Sequence, residues 1–198
     1  FFSLFSLNVN SQEQFNFDVT QIDILENGNK FIGTKRGTIT SNDGIIINAD
    51  QFEYQKKLNI LNANGNVKII DRINNFEIYS DNITYDKNNN FIFTDKNSKA
   101  FDLVNNFEIS ADSFEYNITK NVITAKNNAI IENKTENYKV SSNQITYLRN
   151  KNKIYNFIFL LFFSLFSLNV NSQEQFNFDV TQIDILENGN KFIGTKRG

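Results

Sequence analysis

The chain has 198 residues, of which 40% are hydrophobic and 21% charged, and its formal net charge is −2. That length suits one ordinary domain, and without a Lys/Arg-rich run it offers no surface that tracks a phosphate backbone, so nucleic acid is excluded as a partner. With neither Cys nor His there are no disulfides, no thiolate metal sites and no imidazole base, and no metal, cofactor or catalytic residue is assigned. The lack of Pro and the wealth of Asn, Lys, Ile and Phe read as the bias of an AT-rich genome. The Asn-rich loops and the Asn-x-Thr triplets at Asn82, Asn117 and Asn133 are discounted as glycosylation signals on that ground.

In chain order, residues 1–11 read as the tail of a signal peptide, a reading that depends on a copy near the other end. Residues 12–154 read as one β domain without linkers. Its first unit is a diverged member, with Phe17, Ile22 and Ile24 standing where Ile47, Phe52 and Tyr54 stand in the second and Gly37 matched to Gly65. From the second unit a ten-residue phrase recurs: IIINADQFEY, FEIYSDNITY, FEISADSFEY and YKVSSNQITY. Its closing residues Tyr54, Tyr85, Tyr116 and Tyr147 are each 31 apart, which marks stacked supersecondary units.

Each unit reads as two strands. Phe107 and Ile109 alternate with Glu108 and Ser110, while Phe114 and Tyr116 fall on the opposite parity, so one extra residue bends the strand between them. The bend falls on the pairs Ala49-Asp50, Ser80-Asp81, Ala111-Asp112 and Ser142-Asn143, where an Asx side chain can bond nearby backbone. A column of three Asp closed by Asn143, repeated unit by unit, is architecture, not one active site, and an enzyme is not expected.

The second strand alternates as Leu61, Ala63, Gly65, Val67 and Ile69, then Ile92, Thr94, Lys96, Ser98 and Ala100, then Ile123, Ala125, Asn127, Ala129 and Ile131. The middle of this face is small or polar. It is either a loosely packed interior or a groove left open for a guest. The residues before each Tyr alternate Glu53, Thr84, Glu115, Thr146, which suits equivalent strands lying side by side.

Beyond the domain, Arg149, Lys151 and Lys153 precede the apolar run Tyr155 to Leu168, with Val170 and Ser172 placed for cleavage after Ser172. Residues 155–172 therefore read as a signal peptide, helical or poorly packed in this chain. Phe162 to Gly198 repeats Phe1 to Gly37 residue for residue, so 173–198 duplicates 12–37. Such identity beside diverged repeats points to a circular template read slightly past one turn, or to an assembly joined at a short repeat.

Ile47-Asn48-Ala49-Asp50-Gln51-Phe52-Glu53-Tyr54 followed by Ala63-Asn64-Gly65-Asn66-Val67-Lys68-Ile69 resembles the OstA/LptA-like repeat of lipopolysaccharide-transport proteins. The likeness spans Gln12 to Ile154, although the Gly-Asn-Val element is complete only in the second unit. It implies an all-β, repeat-built antiparallel β-jellyroll, V-shaped in section, with two strands per 31-residue unit. It also implies a protein of a Gram-negative bacterium, free in the periplasm or attached there to the outer membrane, that binds lipopolysaccharide and shields its lipid A acyl chains. Two forms fit, the free-standing bridge and the N-terminal domain of the outer-membrane translocon. The implied lipid-facing residues are Ile47, Leu61, Val67, Ile69, Ile78, Ile92, Ile109, Ile123, Ile131 and Val140. Partners would be other jellyrolls of the pathway joined edge to edge, with head-to-tail self-association. A structural or adhesive solenoid with a solid core and no lipid cargo is the alternative.

Overall fold

A computed structural model describes residues 14–151, 153–157, 182–186 and 191–195. They form one antiparallel sheet of 17 strands, folded on itself into two layers. Strands β7 (Ile60–Asp71), β8 (Phe76–Asp86), β13 (Val122–Asn133) and β14 (Tyr138–Leu148) each run through both layers. The others are shorter and belong to one layer.

The first layer runs β2 (Asp23–Leu25), β3 (Lys30–Gly33), β6 (Gln51–Gln55), then the first half of β7 and the second half of β8. It continues through β9 (Phe91–Asp95), β12 (Ser113–Asn117), the first half of β13, the second half of β14 and β15 (Lys153–Phe157). The second layer holds β1 (Phe15–Val19), β4 (Gly37–Ser41), β5 (Ile45–Ala49), the remaining halves of β7 and β8, β10 (Ser98–Asp102), β11 (Phe107–Ala111), and the remaining halves of β13 and β14.

The bend between layers is where parity placed it. Opposite each single Asx residue stand two residues with positive φ: Gly65 (78°) and Asn66 (45°), Lys96 (67°) and Asn97 (49°), Asn127 (59°) and Asn128 (51°). The Asx amide donates to the first carbonyl of each pair, Asp50 to Gly65 at 3.0 Å, Asp81 to Lys96 at 3.3 Å and Asp112 to Asn127 at 3.0 Å. The Asn of each pair donates back to the Asx carboxylate, from Asn66 and Asn97 at 2.7 Å and from Asn128 at 3.2 Å. Two residues against one is a β-bulge, and its excess turns the strand. The corner is therefore built alike in all three units, although Gly-Asn-Val is spelled out only once. Asn carries it because Asn tolerates the left-handed region and bonds locally. These Asn residues are structural, not compositional noise.

Four other expectations change. Gly65 is half-buried at the corner, and Lys96 and Asn127 are exposed there, so none belongs to the inward face. Gly37 pairs with Ala49 as Val67 pairs with Ser80, so Gly37 corresponds to Val67, not to Gly65. Equivalent strands are not side by side: the returning strand lies between them, as Asn62 does between Glu53 and Thr84. The Glu/Thr alternation answers that neighbour, with Thr84 donating to Asn62 at 2.8 Å and Lys126 paired with Glu115. Finally, Tyr155, Asn156 and Phe157, expected to be helical or poorly packed, extend β15 against β14, because the β14 edge supplies partners for their backbone. The rest of the expected signal segment and residues 1–11 lie outside the described residues.

The duplicated sequence forms the same hairpin twice. β2 and β3 begin the first layer; β16 (Gln182–Leu186) and β17 (Lys191–Thr195), their copies, extend it beyond β15. The inner member differs. β3 faces β6 in the first copy, whereas β16 faces β15 in the second, so β17 lies outermost.

Candidate functional site

The inward faces meet in a single core. In the first layer the ladder Tyr54, Leu61, Tyr85, Ile92, Tyr116, Ile123, Tyr147, Ile154 alternates aromatic with aliphatic, a favoured cross-strand pairing. One step toward the corner, Phe52, Ala63, Ile83 and Thr94 pair in turn, and Phe114, Ala125 and Ile145 continue the alternation of large with small. The second layer carries Ile39, Ile47, Ile69, Ile78, Ala100, Ile109, Ile131 and Val140 in one register.

All ten residues expected to face lipid point into this core, the most exposed being Val140 at 5%. The small residues of the returning strands cluster at the corners. Ala63, Thr94 and Ala125 lie just before the corner and Val67, Ser98 and Ala129 just after it. Before the corner Ala63 and Ala125 stand opposite the larger Phe52, Ile83, Phe114 and Ile145, and after it Val67 and Ala129 stand opposite Ser80 and Ser142. Thr94 Oγ1 and Ser98 Oγ close to 2.6 Å across the apex, and Thr94 also accepts the Phe114 amide at 2.8 Å. Small residues mid-strand thus flank the corner on its inward side.

The end opposite the corners is closed by a polar seam that the sequence reading missed. Asp71 and Asp102 sit at the inward parity on the last residue of their strands, flanked by Phe76 and Phe107, and each is 1% exposed. Each first serves its own turn: Asp71 accepts the Asn74 amide at 2.9 Å and Asp102 the Asn105 amide at 3.1 Å. Each also receives a tyrosine from the other layer, Tyr116 onto Asp71 at 2.8 Å and Tyr147 onto Asp102 at 3.0 Å. Tyr85 makes the same reach to Asp43 at 3.0 Å.

Cations complete two of these three contacts. Lys87 pairs with Asp43. Arg149, 5% exposed, grips Asp102 through Nε at 2.8 Å and Nη2 at 3.0 Å, donates to Asn121 at 2.6 Å and to the Asn74 carbonyl at 2.8 Å, and lies 4.3 Å over the Phe76 ring. It is a keystone of the domain. Position 118 holds Ile where 87 and 149 hold cations; Asp71 accepts from the Asn74 side chain at 2.7 Å, as Asp102 does from that of Asn105 at 2.9 Å. The signal was available: an acidic residue at inward parity, repeated 31 residues later.

Burial opposes ionisation of Asp102, but the Arg149 and Asn105 hydrogen bonds outweigh it and hold the carboxyl below the usual range. Asp43 is lowered in the same way, burial being outweighed by Lys87 and Ser41. Burial and then the adjacent carboxylates push the Tyr85, Tyr116 and Tyr147 phenols far above their ordinary value, so each remains a donor. Among the described residues no group of three or more acidic side chains could hold a metal ion.

Among solved structures, the chain is similar to LptH, the LptA-homologous periplasmic component of the lipopolysaccharide transport device of Pseudomonas aeruginosa. The TM-score is 0.52 at 8% identity, over 57% of this chain and 81% of that one. The fold is an LptA-like β-jellyroll. No protein-family model and no curated protein matches the chain.

Proposed function

We propose that this domain carries lipopolysaccharide through the periplasm by taking lipid A acyl chains between its two layers. The observation that carries the reading is the unbroken core: one register of Ile39 to Val140 and one of Tyr54 to Ile154, running the length of the stack. An acyl chain of about a dozen methylenes gains on the order of 10 kcal/mol on leaving water, at ~0.8 kcal/mol per CH₂. A continuous apolar interior provides that gain without a cofactor or a chemical step. The likeness in fold to LptH supports the same reading.

Association edge to edge belongs to it. The copied hairpin docks on β15 through Ile154 opposite Ile183 and leaves β17 outermost, the place from which β3 meets β6 in the first copy. One chain's C-terminal edge is thus shaped to continue into another chain's N-terminal edge, by strand addition. Export by the segment at 155–172, and the domain's place in a free-standing bridge or a translocon, belong to the same proposal.

The second reading, a solid-cored structural solenoid, draws on the full burial of all ten lining residues. A photo-crosslinking residue at Leu61 or Ile123 separates the two. Capture of lipopolysaccharide there, and not at outward-facing Asn62, supports carriage. Equal capture on both faces, or none from a folded chain, leaves the solid solenoid.

A further inference from the structure

The interior is closed as described, so a cargo-bearing state requires a way in. On the corner side the backbone itself is the wall: β7, β8, β13 and β14 pass from layer to layer without a break. At the N-terminal end Phe15, Phe17, Phe31 and Tyr54 pack as one aromatic cluster, Phe17 and Phe31 stacked at 5.7 Å. The opposite end of the first layer is extended by β15 and β16. The seam is built differently. The hydrogen bonds that cross it come from side chains: Tyr85 to Asp43, Tyr116 to Asp71, Tyr147 and Arg149 to Asp102. Along each lip the backbone is continuous within its own layer, where Lys87 donates to Asn59, Ile118 to Asn90 and Leu103 to Asn75. Each lip can therefore move as a unit once the side chains let go.

We propose that this seam is the portal for an acyl chain: the Tyr–Asp contacts are its latch, and the layers part there while hinging at the Asx corners. The inference rests on the carriage reading and adds the route and the residues that govern it. The lip chemistry fits an amphiphile. Ile73, Leu103 and Val104 stand 72%, 59% and 62% exposed on turns that begin at Asp71 and Asp102. Apolar side chains outside the latch offer the first methylenes a partner before the core is reached. The latch is suited to reversible opening, because its donors and carboxylates regain water as they separate, whereas parting a strand ladder would strip many backbone bonds at once.

The chain has no Cys, so paired cysteines can be placed cleanly. In one variant Asp71→Cys and Tyr116→Cys are bridged across the seam with a short bis-maleimide. In a second, Asp50→Cys and Asn66→Cys are bridged at a corner, where the native contact is 2.7 Å. Tyr116→Phe and Tyr147→Phe, each removing only a hydroxyl, serve as variants that keep the core's shape. Uptake of a dansyl-labelled undecanoic acid by the full chain is followed by fluorescence, with lipopolysaccharide as competitor. The portal predicts that the seam bridge slows loading at least about tenfold and that the corner bridge leaves it unchanged. Each Tyr→Phe change should speed loading by roughly three- to tenfold, the factor one hydrogen bond is worth. Loading of the seam-bridged protein at the unbridged rate, or Tyr→Phe variants no faster than the parent, overturns the portal while carriage stands. No saturable uptake by the unaltered chain overturns the carriage reading and the portal with it.

Discussion

Removing Arg149 should be among the most damaging single changes in the domain. The Arg149→Met chain keeps much of the side-chain volume but leaves Asp102, 1% exposed, without its charged partner. Tyr147 and the Asn105 amide still donate to that carboxylate, while Asn121 and the Asn74 carbonyl lose a donor. Deleting one member of a buried pair costs about 3–5 kcal/mol, because the survivor's charge stays desolvated. Replacing both, Arg149→Met with Asp102→Leu, should recover much of that loss, since well-packed apolar pairs often match a buried ion pair. Urea unfolding of the four chains of this cycle, followed by far-ultraviolet circular dichroism, gives the coupling. A single-variant loss below about 1 kcal/mol would show that Arg149 is solvated and would refute the keystone reasoning.

At the corners, Asn97→Ala should lose about 1–2 kcal/mol, combining the bond to Asp81 with the left-handed backbone at φ 49°, and Asn97→Gly should recover the backbone share on urea titration. In the core, Ile109→Ala, in register with Ala100 and Ile131, should cost roughly 2–5 kcal/mol with an unchanged m-value; a loss under 1 would mean a loosely packed interior. Stability should fall on both sides of neutrality. Asp43 and Asp102 have lowered folded values, so their contribution is complete above about pH 4, the ordinary carboxylate value, and is lost as pH falls through the folded one. Tyr85, Tyr116 and Tyr147 have raised folded values, so theirs is complete below about pH 10 and erodes above it; a flat thermal midpoint from about pH 9 to 12 would contradict the buried phenols. A chain ending at Phe157, with β15 uncovered, should form concentration-dependent head-to-tail assemblies in analytical ultracentrifugation, and a strict monomer at high concentration would contradict edge addition.

Much of the fold was legible because periodicity alone carries it. The switch of parity between Ile109 and Phe114 located the layer change, and the repeated tyrosines located equivalent ladder positions. What periodicity could not give was strand order. Nothing in an alternating pattern says that Asn62 lies between Glu53 and Thr84, since that depends on how hairpins stack. Corner geometry was half visible: the Asx residue announced itself, but its bulged partners read Gly65-Asn66, Lys96-Asn97 and Asn127-Asn128, alike in φ and unlike in sequence. The ten apolar residues expected to face lipid were legible as inward positions, because a large aliphatic side chain at the right parity has nowhere else to go. The seam was not. Asp71 and Asp102 look like turn residues until the opposite layer brings Tyr116 and Tyr147 onto them, and Arg149 looks like the basic flank of an apolar run until it reaches across to Asp102.

The central claim is that acyl chains occupy the space between the layers. With no Trp in the chain, a single indole reports on one place. Phe114→Trp puts it on the inward face, where Phe114 is 1% exposed, and Tyr79→Trp puts it on the outward face of β8 beside Phe101. Titration with dibromostearate, a contact quencher, should extinguish the Phe114→Trp emission saturably, and added lipopolysaccharide should restore it, while Tyr79→Trp stays bright. Quenching of both indoles alike, or of neither while the chain remains folded, would contradict an interior that carries lipid.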